Sequence, residues 1–443
     1  MKTRSLIATI VGLVAVAGLG FLGWILSAPG PMSFGGKSVA LAEYRGPSPV
    51  GVPAELAKAD LVTRGEYLIR AADCAACHTA KGGKEFAGGR AFKLPFGTIY
   101  APNITPDTET GIGKWTDAEF LRAVHKGVGR AGEPLYPAFP YATYTALTDS
   151  DVLAIKAFLF AQKPVHQGKP DNTLMFPFNQ RYLMTIWSLM FNPDKRFEPI
   201  PEQSPEWNRG AYLVEAAGHC GECHSPRNLM QAIDNRHKFG GGQAEGWLSY
   251  NITSDKRTGV GDWSADDLAR YLSSGHAAGR GTASGPMGEA VDVSLSHLVP
   301  SDLSAIVTYL RTVPPVHSDS LSDTLAGPAA SSPKVADNLD PRGKHLFEGA
   351  CASCHAWTGA GALRDEAALT GVRSVNDATA TNVVQMVLAG TGPVAGGRAY
   401  MPGFGAAYSD QEVADVANYV TGRFGSAPSH LTAAMVAKMR AAN

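Results

Sequence analysis

Cys74-Ala-Ala-Cys77-His78, Cys220-Gly-Glu-Cys223-His224 and Cys351-Ala-Ser-Cys354-His355 are three copies of one pentapeptide, C-x-x-C-H. Together they use all six cysteines of a 443-residue chain. The pattern is the attachment signature of c-type haem. Each thiol adds its S–H across a haem vinyl group, and the adjacent histidine supplies one axial nitrogen to the iron. Two intervening residues let both sulfurs reach one porphyrin edge while the histidine points at the metal. A disulfide framework gives no reason for histidine after every second cysteine. A structural zinc site wants four ligands, so it would pair two copies and orphan the third. A redox-active dithiol would sit once, in a βαβ pattern. The reading is therefore three covalently bound haem c groups on Cys74, Cys77, Cys220, Cys223, Cys351 and Cys354. His78, His224 and His355 are their axial ligands, and no disulfide is expected.

The sequence around each copy repeats. Arg64-Gly-Glu-Tyr-Leu-Ile-Arg precedes the first motif, Arg209-Gly-Ala-Tyr-Leu-Val-Glu the second and Arg342-Gly-Lys-His-Leu-Phe-Glu the third. Apolar positions such as Tyr67, Leu68 and Ala71 recur at helical spacing, so each stretch predicts the first helix of a small cytochrome domain. Repeats one and two also share Asn103-Ile-Thr and Asn251-Ile-Thr, then Gly111-Ile-Gly-Lys-Trp115 and Gly259-Val-Gly-Asp-Trp263. Thr116 and Ser264 follow as N-caps, with Glu119 and Asp267 three residues on, opening helices to Lys126 and Ser274. Each repeat closes on a further helix: Thr148 to Phe160, Pro300 to Leu310, and Ser409 to Val420. The third repeat is shorter and lacks the Asn-Ile-Thr loop.

The predicted fold is mainly α, with almost no sheet: three class I-like cytochrome c domains in tandem after an N-terminal transmembrane helix. The boundaries expected are an anchor or uncleaved signal over 1–36, domain 1 over 55–170, an apolar connection over 171–200 and domain 2 over 201–315. A linker over 316–338, domain 3 over 339–425 and a tail over 426–443 complete the chain. Pro, Ser, Ala and Asp crowd the linker. The charge is balanced, 39 basic against 40 acidic residues, and no long run of one sign suggests nucleic acid.

Lys2 and Arg4 precede an uncharged stretch from Ser5 to Gly36 whose apolar heart is Leu6 to Leu26. Those 21 residues reach about 30 Å as a helix, the thickness of a hydrocarbon core. A cleaved signal is the alternative, although its apolar core is usually shorter. Either way the basic end stays inside and the bulk is exported, to the periplasmic side of a bacterial cytoplasmic membrane.

A haem that only passes electrons takes a second axial ligand, and methionine there raises its potential. Among eleven methionines, Met401 lies in Tyr400-Met-Pro-Gly-Phe404 and Met287 in Gly285-Pro-Met-Gly-Glu289, each ahead of a last helix. His276 and His297 are weaker rivals to Met287. Repeat one reads Leu135-Tyr-Pro-Ala-Phe139-Pro-Tyr141 and has no methionine between 78 and 174. Three alternatives remain there: Met184 or Met175 folding back, with Met184 preferred; His125 giving a bis-histidine haem; or an open, five-coordinate iron. Trp115 and Trp263 either donate to haem propionates or pack on the macrocycle edge.

The three motifs, the paired Asn-Ile-Thr loops, Leu-Tyr-Pro-Ala-Phe-Pro-Tyr (135–141) and Phe-Pro-Phe-Asn-Gln-Arg (176–181) resemble the triheme cytochrome c subunit of membrane-bound dehydrogenases in proteobacteria. The resemblance covers essentially the whole chain after the anchor. It implies a large catalytic dehydrogenase subunit, a small subunit as a further partner, and electron transfer to ubiquinone in the cytoplasmic membrane. Relatives serve PQQ alcohol dehydrogenases, flavin-dependent gluconate, sorbitol and fructose dehydrogenases, and molybdopterin aldehyde or N-heterocycle dehydrogenases. Alcohol and sugar-acid relatives typically carry methionine where this chain has Phe139. Phe139, with Cys-His-Ala-Trp-Thr-Gly (354–359) and Ser-Val-Asn-Asp-Ala-Thr-Ala-Thr-Asn (374–382), looks more like the subunits of molybdopterin hydroxylases, which tilts the reading to an aldehyde dehydrogenase complex. No motif binds flavin, PQQ or molybdopterin, so the chain is not expected to carry the substrate site. The rival of another class is a catalytic, peroxidase-like haem enzyme with an open iron in domain 1. A cytochrome subunit of a terminal oxidase is a third.

Residues 174–191 carry many apolar side chains and few charges. They are either an interfacial helix with Trp187 at the headgroup level or a contact with another domain or the partner. The stretch Leu431 to Arg440 reads as a capping helix.

Overall fold

The Arg-Gly of each repeat sets a helix crossing. In the computed structural model, which describes residues 2–26, 52–317, 339–362, 364–391 and 401–441, the Leu61–Ala71 helix packs on Asp149–Ala161. Pro205–Tyr212 packs on Pro300–Leu310, and Pro341–Leu346 on Asp410–Phe424. A Cβ at Gly65 would lie 1.9 Å from the Ala154 carbonyl oxygen, at Gly210 1.9 Å from that of Ala305, and at Gly343 2.3 Å from that of Asp415. Only glycine lets the two backbones approach so closely. The arginine before it ties the same pair: Arg64 to Asp151, Arg209 to Asp302 at 2.7 Å, and Arg342 to Asp415 at 3.4 Å.

Between the paired helices lies a third element: Asp117–Lys126, Ala265–Ser274 and Thr381–Ala389. Thr116 and Glu119 form a full capping box, and Ser264 accepts from the Asp267 amide. The helix that closes repeat three runs to Phe424, past the expected Val420. Sheet is confined, among the described residues, to antiparallel two-stranded pairings: Ala91–Leu94 with Gly97–Tyr100, Gly242–Ala244 with Trp247–Ser249, and His276–Ala277 with Gly281–Thr282.

Repeats one and two share one hydrophobic core, in which Tyr67, Leu147 and Phe158 meet Tyr212, Leu213 and Tyr309. Repeat three builds its own around Phe347, Val384, Val416 and Phe424. It leans on repeat two through polar contacts. Asn382 exchanges two bonds with the backbone of Leu248, at 2.8 and 2.9 Å, and Gln385 donates to the Gly246 carbonyl. The Ala433–Ala441 helix covers repeat three, with Leu431 and Val436 in its core and Arg440 on Asp410.

A helix runs over Lys2–Leu26, and its described side chains are exposed. Among the described residues no helix is long and apolar enough to cross a membrane. The rest of the expected anchor, 27–36, and linker residues 318–338 lie outside the described residues.

The 174–191 segment is clamped to repeat one. Thr173 and Met175 donate to the carbonyls of Thr98 and Phe96, Phe178 stacks on Phe96 at 4.1 Å, and Arg181 donates to the Pro134 carbonyl at 3.0 Å. Trp187 is buried rather than turned outward. Its indole N–H has found a partner, the Met230 carbonyl of repeat two at 2.8 Å, and its ring meets Tyr141 edge-on. A tryptophan whose one donor is satisfied inside gains nothing at a headgroup. Among the side chains that face outward are Phe176, Tyr182, Ile186 and Leu189, together with Leu229, the neighbour of Met230 in sequence.

Candidate haem-attachment sites

Each C-x-x-C-H sits on a single helical turn: Cys74–His78, Gly221–His224 and Ala352–His355. In repeats two and three a wide π-type turn, Leu213–Ala217 and Phe347–Cys351, leads into it. Such turns concentrate at functional sites because they re-aim the side chains that follow.

The three histidines share one arrangement. His78 donates from Nδ1 to the Pro102 carbonyl at 2.7 Å, His224 to that of Tyr250 at 2.6 Å, and His355 to that of Ala367 at 2.6 Å. A carbonyl oxygen only accepts, so Nδ1 carries the proton and the Nε2 lone pair is free. That is the tautomer an iron ligand needs, and the bond also fixes the ring plane. Burial lowers the pKa of all three imidazoles, which keeps them neutral.

Pro102 and Tyr250 each precede the asparagine of an Asn-Ile-Thr loop, and this is the loop's role. Asn103 Oδ1 accepts from the Thr105 amide at 2.9 Å, while its Nδ2 donates to Thr110 and to the Val165 carbonyl. Asn251 does the same with Thr253, Thr258 and Val316. The buried asparagine thus locks the carbonyl that locks the histidine. The sequence flagged the duplication without this meaning. In repeat three, where the loop is missing, the short turn Asp365–Ala367 supplies the carbonyl instead.

Burial pushes the Cys77 and Cys220 thiols up to about 12, and those of Cys223 and Cys351 up to about 11. The surroundings therefore raise these thiols and do not activate them as thiolates. Among the described residues no cluster of His, Cys, Asp or Glu has the makings of a metal-ion site.

The second-ligand segments are also positioned alike. The middle helices of repeats one and two end on left-handed glycines, Gly127 and Gly275, and the chain returns so that the Leu135 amide meets the Gly127 carbonyl and the Ala283 amide that of Gly275, both at 2.7 Å. Phe139 and Met287 each lie four residues beyond that return, so Phe139 occupies the place of Met287. It packs instead on Tyr144, ring centres 5.6 Å apart. In repeat three Gly390, again at positive φ, brings Thr391 onto the Met401 carbonyl at 3.0 Å, and Met401 packs with Cys351 against one core.

Of the other candidates, Met184 is half-buried on the Leu183–Phe191 helix, whose Trp187 and Phe191 pack with Leu135 and Phe139. Met175 is exposed. His125 is 0 % exposed, closed in by Arg196, Asp149 and Leu147. The three motif histidines, by contrast, are half-buried. His297 bonds the Asp292 carbonyl through Nε2, and His276 bonds Thr282 through Nδ1. Trp115 joins the periphery of the shared core, and Trp263 lies edge-on to Tyr271 under the Arg280 guanidinium.

The first two attachment segments meet across the repeat interface. Thr143 donates to Glu222, inside the second motif, at 2.5 Å, and Tyr144 lies edge-on to His219, beside Cys220. Arg90 donates to the Ala76 carbonyl, inside the first motif, and pairs with Glu289 at 2.6 Å and Glu245 at 3.1 Å. The second and third segments are joined by Tyr250. Its carbonyl receives His224, its hydroxyl donates to Asp377 of repeat three at 3.2 Å, and Arg373 covers its ring. Paired thiols on one turn beside a tautomer-fixed histidine are what covalent haem c requires, and the residues fit it at all three places.

A family model for cytochrome c matches residues 62–162 and 341–423. A nicotinate dehydrogenase subunit of Pseudomonas putida is 42% identical over 370 residues, covering 83% of this chain, which spans only 30% of that longer protein. The gluconate 2-dehydrogenase cytochrome c subunit of Pantoea cypripedii is 39% identical over 402 residues, 86% of this chain and 89% of that one. A diheme cytochrome c-type protein of Cereibacter sphaeroides is 39% identical over 263 residues, 57% of this chain and 86% of that one.

Proposed function

The chain belongs to the cytochrome c subunits of bacterial dehydrogenase complexes, and on that premise we propose that it is a triheme relay, held at the cytoplasmic membrane on its periplasmic side, between a catalytic dehydrogenase subunit and ubiquinone. The observation that carries this is the thrice-repeated histidine whose Nδ1 is spent on a backbone carbonyl. Haem c bound at each place supplies a one-electron carrier. The chain's own residues do the rest. Cys74, Cys77, Cys220, Cys223, Cys351 and Cys354 hold the macrocycles. His78, His224 and His355 would each give the iron a nitrogen, with Met287 in domain 2, Met401 in domain 3 and Met184 in domain 1 as the sulfur ligands. The three paired helices, each with its own attachment turn, support three domains.

Anchoring through the N-terminal helix is supported by its exposed apolar side chains, Leu13, Val14, Val16 and Leu19 among them. Phe176, Tyr182, Ile186, Leu189 and Leu229 add a second apolar surface suited to a lipid interface. Beside it lies a small crevice between the 137–143 loop, Trp187, Phe191 and the second motif's Glu222, with Arg227 and Asn235 on its wall. Phe139 and the resemblance to the nicotinate dehydrogenase subunit favour a molybdopterin-type partner, an aldehyde dehydrogenase in the leading reading, over a PQQ or flavin one. A small subunit completes the complex.

The test is the complex pulled from detergent-solubilised membranes through this chain. Three haems per chain by mass, molybdenum and a large partner are expected. PQQ or flavin in the partner would overturn the choice of partner. Fewer haems, or no partner, would overturn the relay. Met401→Ala should leave haem content intact and create one haem that binds carbon monoxide on reduction. An unchanged spectrum would remove Met401 from the ligand set.

A further inference from the structure

Two hydrogen bonds cross the interface between repeats one and two, and they are mirror images. Tyr67 of repeat one donates to Asp302 Oδ2 of repeat two at 2.6 Å. Tyr212 of repeat two donates to Asp151 Oδ2 of repeat one, also at 2.6 Å. Tyr67 and Tyr212 hold the same position in the Arg-Gly-x-Tyr-Leu heptads, and Asp151 and Asp302 the same position in the closing helices. Each tyrosine oxygen also accepts an amide N–H at the start of the other repeat's closing helix. Val299 donates to Tyr67 at 3.3 Å and Thr148 to Tyr212 at 3.2 Å. Each aspartate spends its remaining capacity on its own arginine, Arg64 or Arg209. All four partners are buried.

The third repeat keeps the arginine, whose partner Asp415 stands where the others have Ala154 and Ala305 while Glu412 takes the place of Asp151 and Asp302, but not the tyrosine. His345 stands there, turned to solvent beside Glu348, and Asp415 takes Gln411 of its own helix instead. The exchange is therefore a property of one pair of repeats and not a by-product of the fold.

We infer that Tyr67 and Tyr212 are positioning residues that hold the first two haem-attachment turns at one fixed separation, making repeats one and two a single redox unit to which the third is docked. The inference rests on the relay reading for its haems. The geometry explains the choice of residue. Each tyrosine sits on the helix that leads directly into an attachment turn, and its hydroxyl reaches into the other repeat's Arg–Asp pair. A phenol cannot lose its proton there, because burial and the neighbouring carboxylate raise both tyrosines far above their ordinary range. The bond is thus permanent across the working pH range, as a spacer must be. A hydroxyl donating to a carboxylate makes a short, strong and directional bond, which fixes rotation as well as distance.

The experiment uses the full chain with Tyr67→Phe, Tyr212→Phe and the double variant. Haem content by mass comes first, since three haems per chain test the relay reading separately. The readout for the inference is the exchange rate of electrons between the first two haems after photoreduction, with the magnetic coupling of the two ferric centres as its static counterpart. The double variant should keep its haems and the individual potentials, while interhaem exchange slows and the magnetic coupling of the two ferric centres weakens. Each single variant should fall between. An unchanged rate and coupling in the double variant would overturn the inference. Should the double variant not accumulate, hydrogen exchange in the wild-type chain decides. The Thr148 and Val299 amides, which belong to different repeats, should exchange in one cooperative opening with both sets of core amides. Separate openings of the two repeats would overturn the inference equally.

Discussion

Replacing Gly65 by alanine sets two known effects against each other. Alanine in a helix interior is favoured over glycine by about 1 kcal/mol. Against this, the new Cβ would lie 1.9 Å from the Ala154 oxygen, 2.6 Å from its carbonyl carbon and 2.9 Å from Phe158 Cβ, where ordinary contact begins at 3.4 Å. The helices must part by about 1.5 Å, and the obstacle is backbone, which cannot rotate away. Overpacking costs about 1–3 kcal/mol where side chains can give, and more where they cannot. The steric effect wins, and the net loss should be about 2–3 kcal/mol. For a cooperative unit of this size that lowers Tm by about 5–10 °C, at about 2–4 °C per kcal/mol. Thermal unfolding by circular dichroism measures it, with the haem Soret band as a second probe. Gly210→Ala, facing the Ala305 oxygen at the same 1.9 Å, should match it, and Gly343→Ala, at 2.3 Å, should cost less. Gly349→Ala is the control, since a Cβ there meets nothing within 4 Å. A rise in Tm for Gly65→Ala would refute the reasoning, because it would mean that propensity outweighs the crossing.

Other outcomes follow from single contacts. Glu215→Gln takes the carboxylate from the buried Lys238 ammonium and the charged acceptor from the Tyr309 hydroxyl; the expected loss is about 3–5 kcal/mol in thermal unfolding, against near neutrality for the pair replaced by Leu and Met. Asn251→Ala removes four bonds around a residue 1 % exposed. It should cost about 3 kcal/mol and shift the reduction potential of the second haem, while Asn103→Ala moves only the first; a potentiometric titration separates them. Amides of Thr110 and Glu109 hold the Asp107 carboxylate down at about 2. A group depressed in the folded state stabilises above its unfolded pKa, about 3.9, and loses that contribution as pH falls through the folded value. The loop's acid sensitivity should therefore lie between about pH 4 and 2, and Asp107→Ala should flatten the stability profile across that window, measured by denaturant midpoints.

Periodic and local features were legible in the sequence, and long-range pairings were not. The heptads before each motif gave the first helices because apolar spacing and Arg-Gly recur together. Thr116 with Glu119, and Ser264 with Asp267, marked helix starts because capping is decided within four residues. The Asn-Ile-Thr loops were visible as a duplication, yet their task depends on a carbonyl meeting a histidine 24 or 26 positions away. The Tyr67–Asp302 bond spans 235 positions and leaves no local trace. Trp187 stood open to two readings, a headgroup anchor or a contact with another domain, and only the Met230 carbonyl, 43 residues on, decides where its N–H goes. Phe139 is the converse case, since its departure from methionine was plain and the structure adds that it stands at the Met287 position.

The two separate cores bear on descent. A gene cut after repeat two leaves one core whole and its tyrosines paired, whereas a cut between the first two repeats strands half a core and exposes two buried aspartates. Inheritance should therefore treat repeats one and two as an indivisible ancestor and the third as an acquisition that lineages gain or shed. The 263 residues over which the diheme relative aligns match the length of two such repeats.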